Sequence, residues 1–184
     1  MGILIRDAFP AAPPPLDHRF RSGMRQLAGG VCVITVGEGE DRTGLTATSV
    51  TSLSLDPPSL LLCVNRSALA FAALARHGGF AVNLLRADQG AIAERFSGRG
   101  GLKGAARYGG ASWMTLASGA PVLADALAAF DCEVEEMIAR RSHAIVIGKV
   151  LDVRLADGAD ALVYWRGAYE GLGAEAAGWA PLFA

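Results

Sequence analysis

The chain has 184 residues, 52% hydrophobic and 19% charged, with a formal net charge of -1. That size and composition exclude a disordered segment and give one domain with a substantial core. A sequence pI of about 6.3 shows no basic excess of the kind nucleic-acid binders carry, and no apolar stretch reaches the ~18 residues that span a bilayer.

Residues 1–16 contain Pro10, Pro13, Pro14 and Pro15, which predict an extended tail. They lack the long apolar run of a secretory signal, so a soluble, cytoplasmic protein is expected. A helix is predicted from Asp17, with Asp17 as cap, Phe20, Met24 and Leu27 on one face, and Gly29-Gly30 as its end. Residues 31–36 form a β-branched strand, 37–41 a glycine-bearing turn, and 45–55 a Thr-rich strand stopped by Asp56-Pro57-Pro58. A short apolar strand over 59–64, an alanine-rich helix over 68–76, a strand over 80–85 and a short helix over 88–96 follow. Residues 97–110, with six glycines, read as a loop that a ligand or partner orders. In 126–138, Phe130, Cys132 and Val134 alternate against Asp131, Glu133 and Glu135, and the slip near Met137-Ile138 predicts a bulge. Strands over 144–155, 162–165 and 169–172 complete the series.

So many strands with so few helices between them do not suit a parallel βαβ sheet. The fold class expected is mainly β, an antiparallel β-barrel with peripheral helices. Cys32, Cys63 and Cys132 sit in apolar runs without C-x-x-C spacing and read as buried free thiols. No metal site is expected.

Three constellations carry potential chemistry. Thr46-Ala47-Thr48-Ser49 crowds hydroxyls among small residues, which suits either a ligand's polar edge or a solvated strand face. Asn65-Arg66-Ser67 opens a helix after an apolar strand, and reads as an anion site or an ordinary cap. His143, after Arg140-Arg141-Ser142, lies at a hairpin tip rich in cationic groups, suited to a phosphate-bearing cofactor or to solvent. There is no P-loop, no H-E-x-x-H and no G-x-S-x-G, and the glycines of 98–101 do not join a strand to a helix.

In order, Gly29 to Thr35, Gly44 to Ser49 with Ser52 to Pro58, Cys63 to Ser67, Phe80 to Leu85, Arg95-Phe96, Gly119 to Leu123, Phe130 to Cys132, His143 with Ile147 to Val150, and Tyr164 to Tyr169 resemble the flavin reductase family with an FMN-binding split barrel. These are small NAD(P)H-dependent reductase components of two-component flavin monooxygenases. The resemblance spans about residues 20–172, leaving 1–19 and 173–184 as tails. It implies a split barrel of antiparallel Greek-key type, FMN or FAD, NADH or NADPH as co-substrate, a homodimer, and an oxygenase component that receives reduced flavin.

Carried over by position, the resemblance puts Thr46, Ala47, Thr48 and Ser49 along the isoalloxazine and ribityl chain. It puts Asn65, Arg66, Ser67, Arg95 and Phe96 near the flavin phosphate, and adds Cys63 and Asn83 to the flavin-binding set. His143, the catalytic position, and Tyr169 lie where nicotinamide enters. The family often has Gly-Asp-His where this chain has Arg141-Ser142-His143. Two other readings share the barrel: a reductase of a corrinoid, iron species or quinone, and a flavin- or haem-binding module without turnover.

Overall fold

A computed structural model describes residues 13–156 and 160–173. The expected tails fall mostly outside this range. The helices are α1 (Leu16–Met24), α2 (Leu69–His77) and α3 (Gly90–Phe96). The strands are β1 (Gly29–Gly30), β2 (Cys32–Val36), β3 (Thr43–Ala47), β4 (Thr51–Leu55), β5 (Pro58–Asn65), β6 (Gly79–Leu84), β7 (Trp113–Thr115), β8 (Pro121–Leu123), β9 (Ala128–Arg140), β10 (His143–Leu155), β11 (Ala161–Trp165) and β12 (Ala168–Leu172).

One seven-stranded sheet, in the order β3-β2-β6-β9-β10-β5-β4, organises the molecule. Every neighbouring pair in it is antiparallel. Cys32, Ile34, Leu62, Val64, Phe80, Val82, Cys132 and Val146, from five of its strands, share one core with Ala70, Ala73 and Leu74 of α2. The sheet therefore curls around that core without closing: its edges, β3 and β4, form no ladder with each other. This is a split barrel.

A second core lies on the opposite face, where Val31, Val33, Ala81 and Ala129 meet Phe96, Tyr108, Val122 and Leu123. With both faces covered, β2 is buried along its whole length, which suits its content of β-branched residues. Gly148 admits the Phe80 ring to the first core, since a Cβ there would stand 2.4 Å from Phe80 Cζ.

The chain departs from sequence expectation at several points. The 45–55 stretch is two strands, because residues 48–50 carry the chain from one sheet edge to the other. The strand stops at Leu55, as the Asp56-Pro57-Pro58 run predicts, and the stop is a tight turn: Pro58 opens β5 and pairs with Leu55, at a strand's first residue where its missing donor is tolerated. The first helix starts at Leu16 with Pro15 at its cap, so Asp17 lies in the first turn instead. It ends at Met24 and buries none of its residues. Gly29–Gly30 is a strand paired with β11, and a Cβ on Gly29 would meet Thr48 Cβ at 3.0 Å.

In β9, Asp131 is buried despite its polar parity, because it accepts from the Ser118 N–H at 2.8 Å and from the Ser118 hydroxyl. The ladder shift falls between Val134 and Glu136, leaving Glu135 as the extra residue. This lies just N-terminal to the expected slip. The short β7–β8 hairpin escaped the sequence reading because three-residue strands carry too little periodicity.

Candidate flavin site

The link between the two sheet edges builds the site. A cleft of about 230 Å³ is lined by Thr46, Ala47 and Thr48. Ser97, Arg99, Tyr164 and Tyr169 complete the lining. Tyr164 and Tyr169 are cross-strand partners in the β11–β12 hairpin, with ring centroids 5.4 Å apart in an edge-to-face pair. Burial and the Glu94 carboxylate push the Tyr169 phenol up, so it stays a neutral donor at physiological pH.

The hydroxyls expected to line a ligand are not equivalent. Thr46 donates its hydroxyl to Ala93 O at 2.6 Å, tying the edge strand to α3. Ser49 donates to Cys63 O at 3.1 Å and accepts from Cys63 N–H at 3.2 Å. Thr48 is exposed, and neither its hydroxyl nor the N–H groups of Thr48 and Ser49 have a partner among the described residues. Unspent donors beside a small residue fit the polar edge of a planar ring.

The second and third constellations prove to be one. His143 stands across the β5–β10 ladder from Asn65. Arg66 donates its N–H to Ser142 O at 3.0 Å and its guanidinium to Arg141 O at 3.2 Å. Asn65 Oδ1 accepts from the Ser67 N–H at 2.9 Å and the Ser67 hydroxyl at 2.8 Å. The Ser142 hydroxyl lies 2.9 Å from His143 Nδ1. Arg141, where the family often has glycine, keeps a left-handed φ of 54°. Ser49 and Cys63 join this cluster to the cleft. Tyr169 shares the cleft with Thr46 to Thr48, and His143 stands with Asn65.

Two predicted residues, Asn83 and Phe96, are buried, and half-buried Arg95 is tied to a loop. Asn83 is fully buried, donating to Val33 O at 3.0 Å and Thr35 Oγ1 at 3.2 Å and accepting from Leu123 N–H at 2.7 Å. Its amide is spent inside the protein. Phe96 is buried against Tyr108 and Trp113 and lies beneath Gly44, where a Cβ would come within 2.9 Å of its ring. Arg95 donates to the carbonyls of Arg107 at 2.9 Å and Ala106 at 2.7 Å, which fixes the loop after α3. The thiol expectation is corrected at Cys63, which is exposed, whereas Cys32 and Cys132 are buried.

Sequence reasoning missed Ser97, Arg99 and Tyr164 on the cleft lining. The only signal was a lone arginine amid the glycines of 98–101. The Tyr164 hydroxyl, and then Glu94, hold the Arg99 guanidinium above its ordinary range. No group of His, Cys, Asp and Glu among the described residues comes together to hold a metal, and no helix there is long and apolar enough to cross a membrane.

A curled, open antiparallel sheet whose edge-to-edge link forms a polar-lined cleft defines a split-barrel nucleotide-binding protein. The chain belongs to the flavin reductase-like domain family, which matches residues 24–173. It is 41% identical over 145 residues to FMN reductase (NADH) RutF 2 of Methylorubrum extorquens strain PA1, covering 79% of this chain and 83% of that one.

Among solved structures it resembles BorF, the flavin reductase component of a bacterial two-component tryptophan halogenase. The TM-score is 0.79 at 35% identity, over 85% of this chain and 98% of that one. It also resembles the NADH:FAD oxidoreductase SgcE6 of Streptomyces globisporus C-1027, with a TM-score of 0.78 at 29% identity, over 86% of this chain and 95% of that one.

Proposed function

We propose that this chain is an NADH-dependent flavin reductase that hands reduced flavin to a separate oxygenase component. Family membership supports the enzyme class, and the names of its relatives support FMN or FAD as flavin and NADH as reductant. The observation that carries the reading is the link at residues 48–50. It presents the unspent Thr48 hydroxyl and the Thr48 and Ser49 N–H groups beside a cleft walled by two tyrosines.

A bound flavin supplies the redox chemistry, accepting at N5 a hydride from nicotinamide C4. The chain's own residues bind, orient and exclude. Thr48 and the adjoining N–H groups hold the polar edge of the ring, where negative charge grows on reduction. Asn65, Arg66 and Ser67 receive the flavin phosphate. Tyr164 and Tyr169 limit water at the cleft. His143 orients the nicotinamide as a hydrogen-bond donor from Nε2 when Ser142 donates to Nδ1. Arg95, Phe96 and Asn83 act by fixing the strands and loop that carry these groups.

The protein acts in the cytoplasm as a homodimer. Support for the second copy comes from an apolar groove lined by Cys32, Val50, Leu55, Leu60, Phe130 and Val153. Leu55 and Leu155 nearby are 87% and 76% exposed. Sedimentation equilibrium at micromolar concentration tests this, with a monomer as the contrary result.

A steady-state matrix of NADH and NADPH against riboflavin, FMN and FAD tests the activity. Flavin binding without oxidation of either nicotinamide would leave only a binding module. His143→Ala should slow stopped-flow flavin reduction or weaken NADH binding while flavin binding persists. Parental reduction rates in that variant would remove His143 from the site.

A further inference from the structure

Arg99 stands on the cleft lining, and nothing in the reading above uses it. We propose that its guanidinium receives a phosphate anion of the nucleotides bound in the cleft. The flavin-reductase reading of the site, on which this inference rests, puts the flavin phosphate at the Asn65 end. Arg99, on the cleft lining and outside that cluster, is assigned to the pyrophosphate of the hydride donor.

Among the described residues, Arg99 is the one charged side chain on the lining of that cleft. The neighbouring arginines are committed to backbone carbonyls. Arg95 holds those of Arg107 and Ala106. Arg107 holds those of Leu102, Phe96 and Gly44.

The Arg99 guanidinium instead makes one long side-chain contact, to Glu94 Oε1 at 3.5 Å. The Arg99 and Glu94 side chains are 64% and 45% exposed, and a long ion pair in that setting contributes little. A guanidinium gains more from a phosphate, which it meets through two parallel N–H donors. The backbone permits the exchange: Gly98 and Gly101, at φ 83° and 73°, flank Arg99 in a region that costs glycine nothing. The two tyrosine rings on the same lining supply flat apolar surface for the rest of a nucleotide.

Arg99→Gln and Arg99→Lys separate the sources of the anion. Rates are compared with NADH or the phosphate-free donor 1-methyl-1,4-dihydronicotinamide, and with FMN or riboflavin. Arg99→Gln should raise KM for NADH roughly 10- to 100-fold, the scale of one charge-assisted hydrogen bond. It should not raise KM for the phosphate-free donor, and Arg99→Lys should recover part of the loss. Calorimetric Kd values for NAD+ and FMN make the same comparison without turnover.

A loss confined to FMN and absent with riboflavin keeps the anion role and assigns it to the flavin. Unchanged constants throughout, or an equal loss with phosphate-free partners, would overturn the inference. No turnover by the parent protein in any pairing would instead sink the flavin-reductase reading, and this inference with it.

Discussion

The Ser49 hydroxyl bridges both backbone polar groups of Cys63, giving its hydrogen to the carbonyl and taking one from the N–H. It thereby extends the β4–β5 pairing two residues beyond the backbone ladder, which begins at Thr51 and Leu61. The side chain latches the crossing between sheet edges to a strand and leaves the Ser49 N–H unspent.

Ser49→Ala should cost about 1 kcal/mol of stability, as expected for hydrogen bonds at an exposed site. Its larger effect should be on flavin affinity, because the crossing loses its anchor. Fluorescence quenching titrations with FMN, set beside urea unfolding, check both. A flavin Kd equal to the parent's would show that the latch does not shape the cleft.

Arg141→Gly should stabilise the protein by about 1 kcal/mol, because a residue with a Cβ pays for the left-handed backbone that glycine adopts freely. The Arg66 contact survives, since its acceptor is the backbone carbonyl of residue 141. Thermal unfolding reads the gain. A lower midpoint would mean that the arginine side chain makes a compensating contact.

Asn83→Ala should destabilise by about 3 kcal/mol, since it leaves the buried Leu123 N–H without its acceptor. The folded fraction at low temperature should bind FMN with the parental Kd. A many-fold weaker Kd in fully folded protein would place Asn83 against the ligand after all.

The thiols give a pH prediction. Burial raises Cys32 from an ordinary 9.0 to about 12, and burial with the Asp131 carboxylate raises Cys132 to about 12. Between those values the unfolded chain has lost protons that the native chain keeps. Stability is therefore present in full below pH 9 and falls as pH rises toward 12, at most by about 1.4 kcal/mol per pH unit for each thiol. Urea midpoints from pH 8 to 11, with Cys32→Ala as comparison, measure the slope. At pH 8 the exposed Cys63 should react with a thiol reagent well before the other two. Rapid labelling of Cys32 or Cys132 would contradict their burial.

Much of the fold was legible because the long strands carry strong patterns. Strand β2 reads as a strand from its content of β-branched residues. The β9–β10 hairpin reads from its alternation. The edge-to-edge crossing was not legible, since Thr46 to Thr51 keeps β propensity throughout and only the sheet order divides it. Asp131 was misplaced for a related reason: its partner, Ser118, lies 13 residues upstream in a loop that no periodicity positions. At the site, Thr48 and the Asn65 turn could be found from residue type and resemblance. Arg99 could not, because an arginine between glycines is indistinguishable in sequence from any solvated loop cation. Phe96 matched a motif yet lies in the core, so a matching position does not by itself mean contact.

The three-residue passage from Ala47 to Thr51 joins both free margins of the main sheet. Lengthening it would let the margins drift apart, and shortening it would pull them together. Tolerance of insertions along this chain should therefore reach its minimum here, and loss of ligand and loss of shape should arrive together.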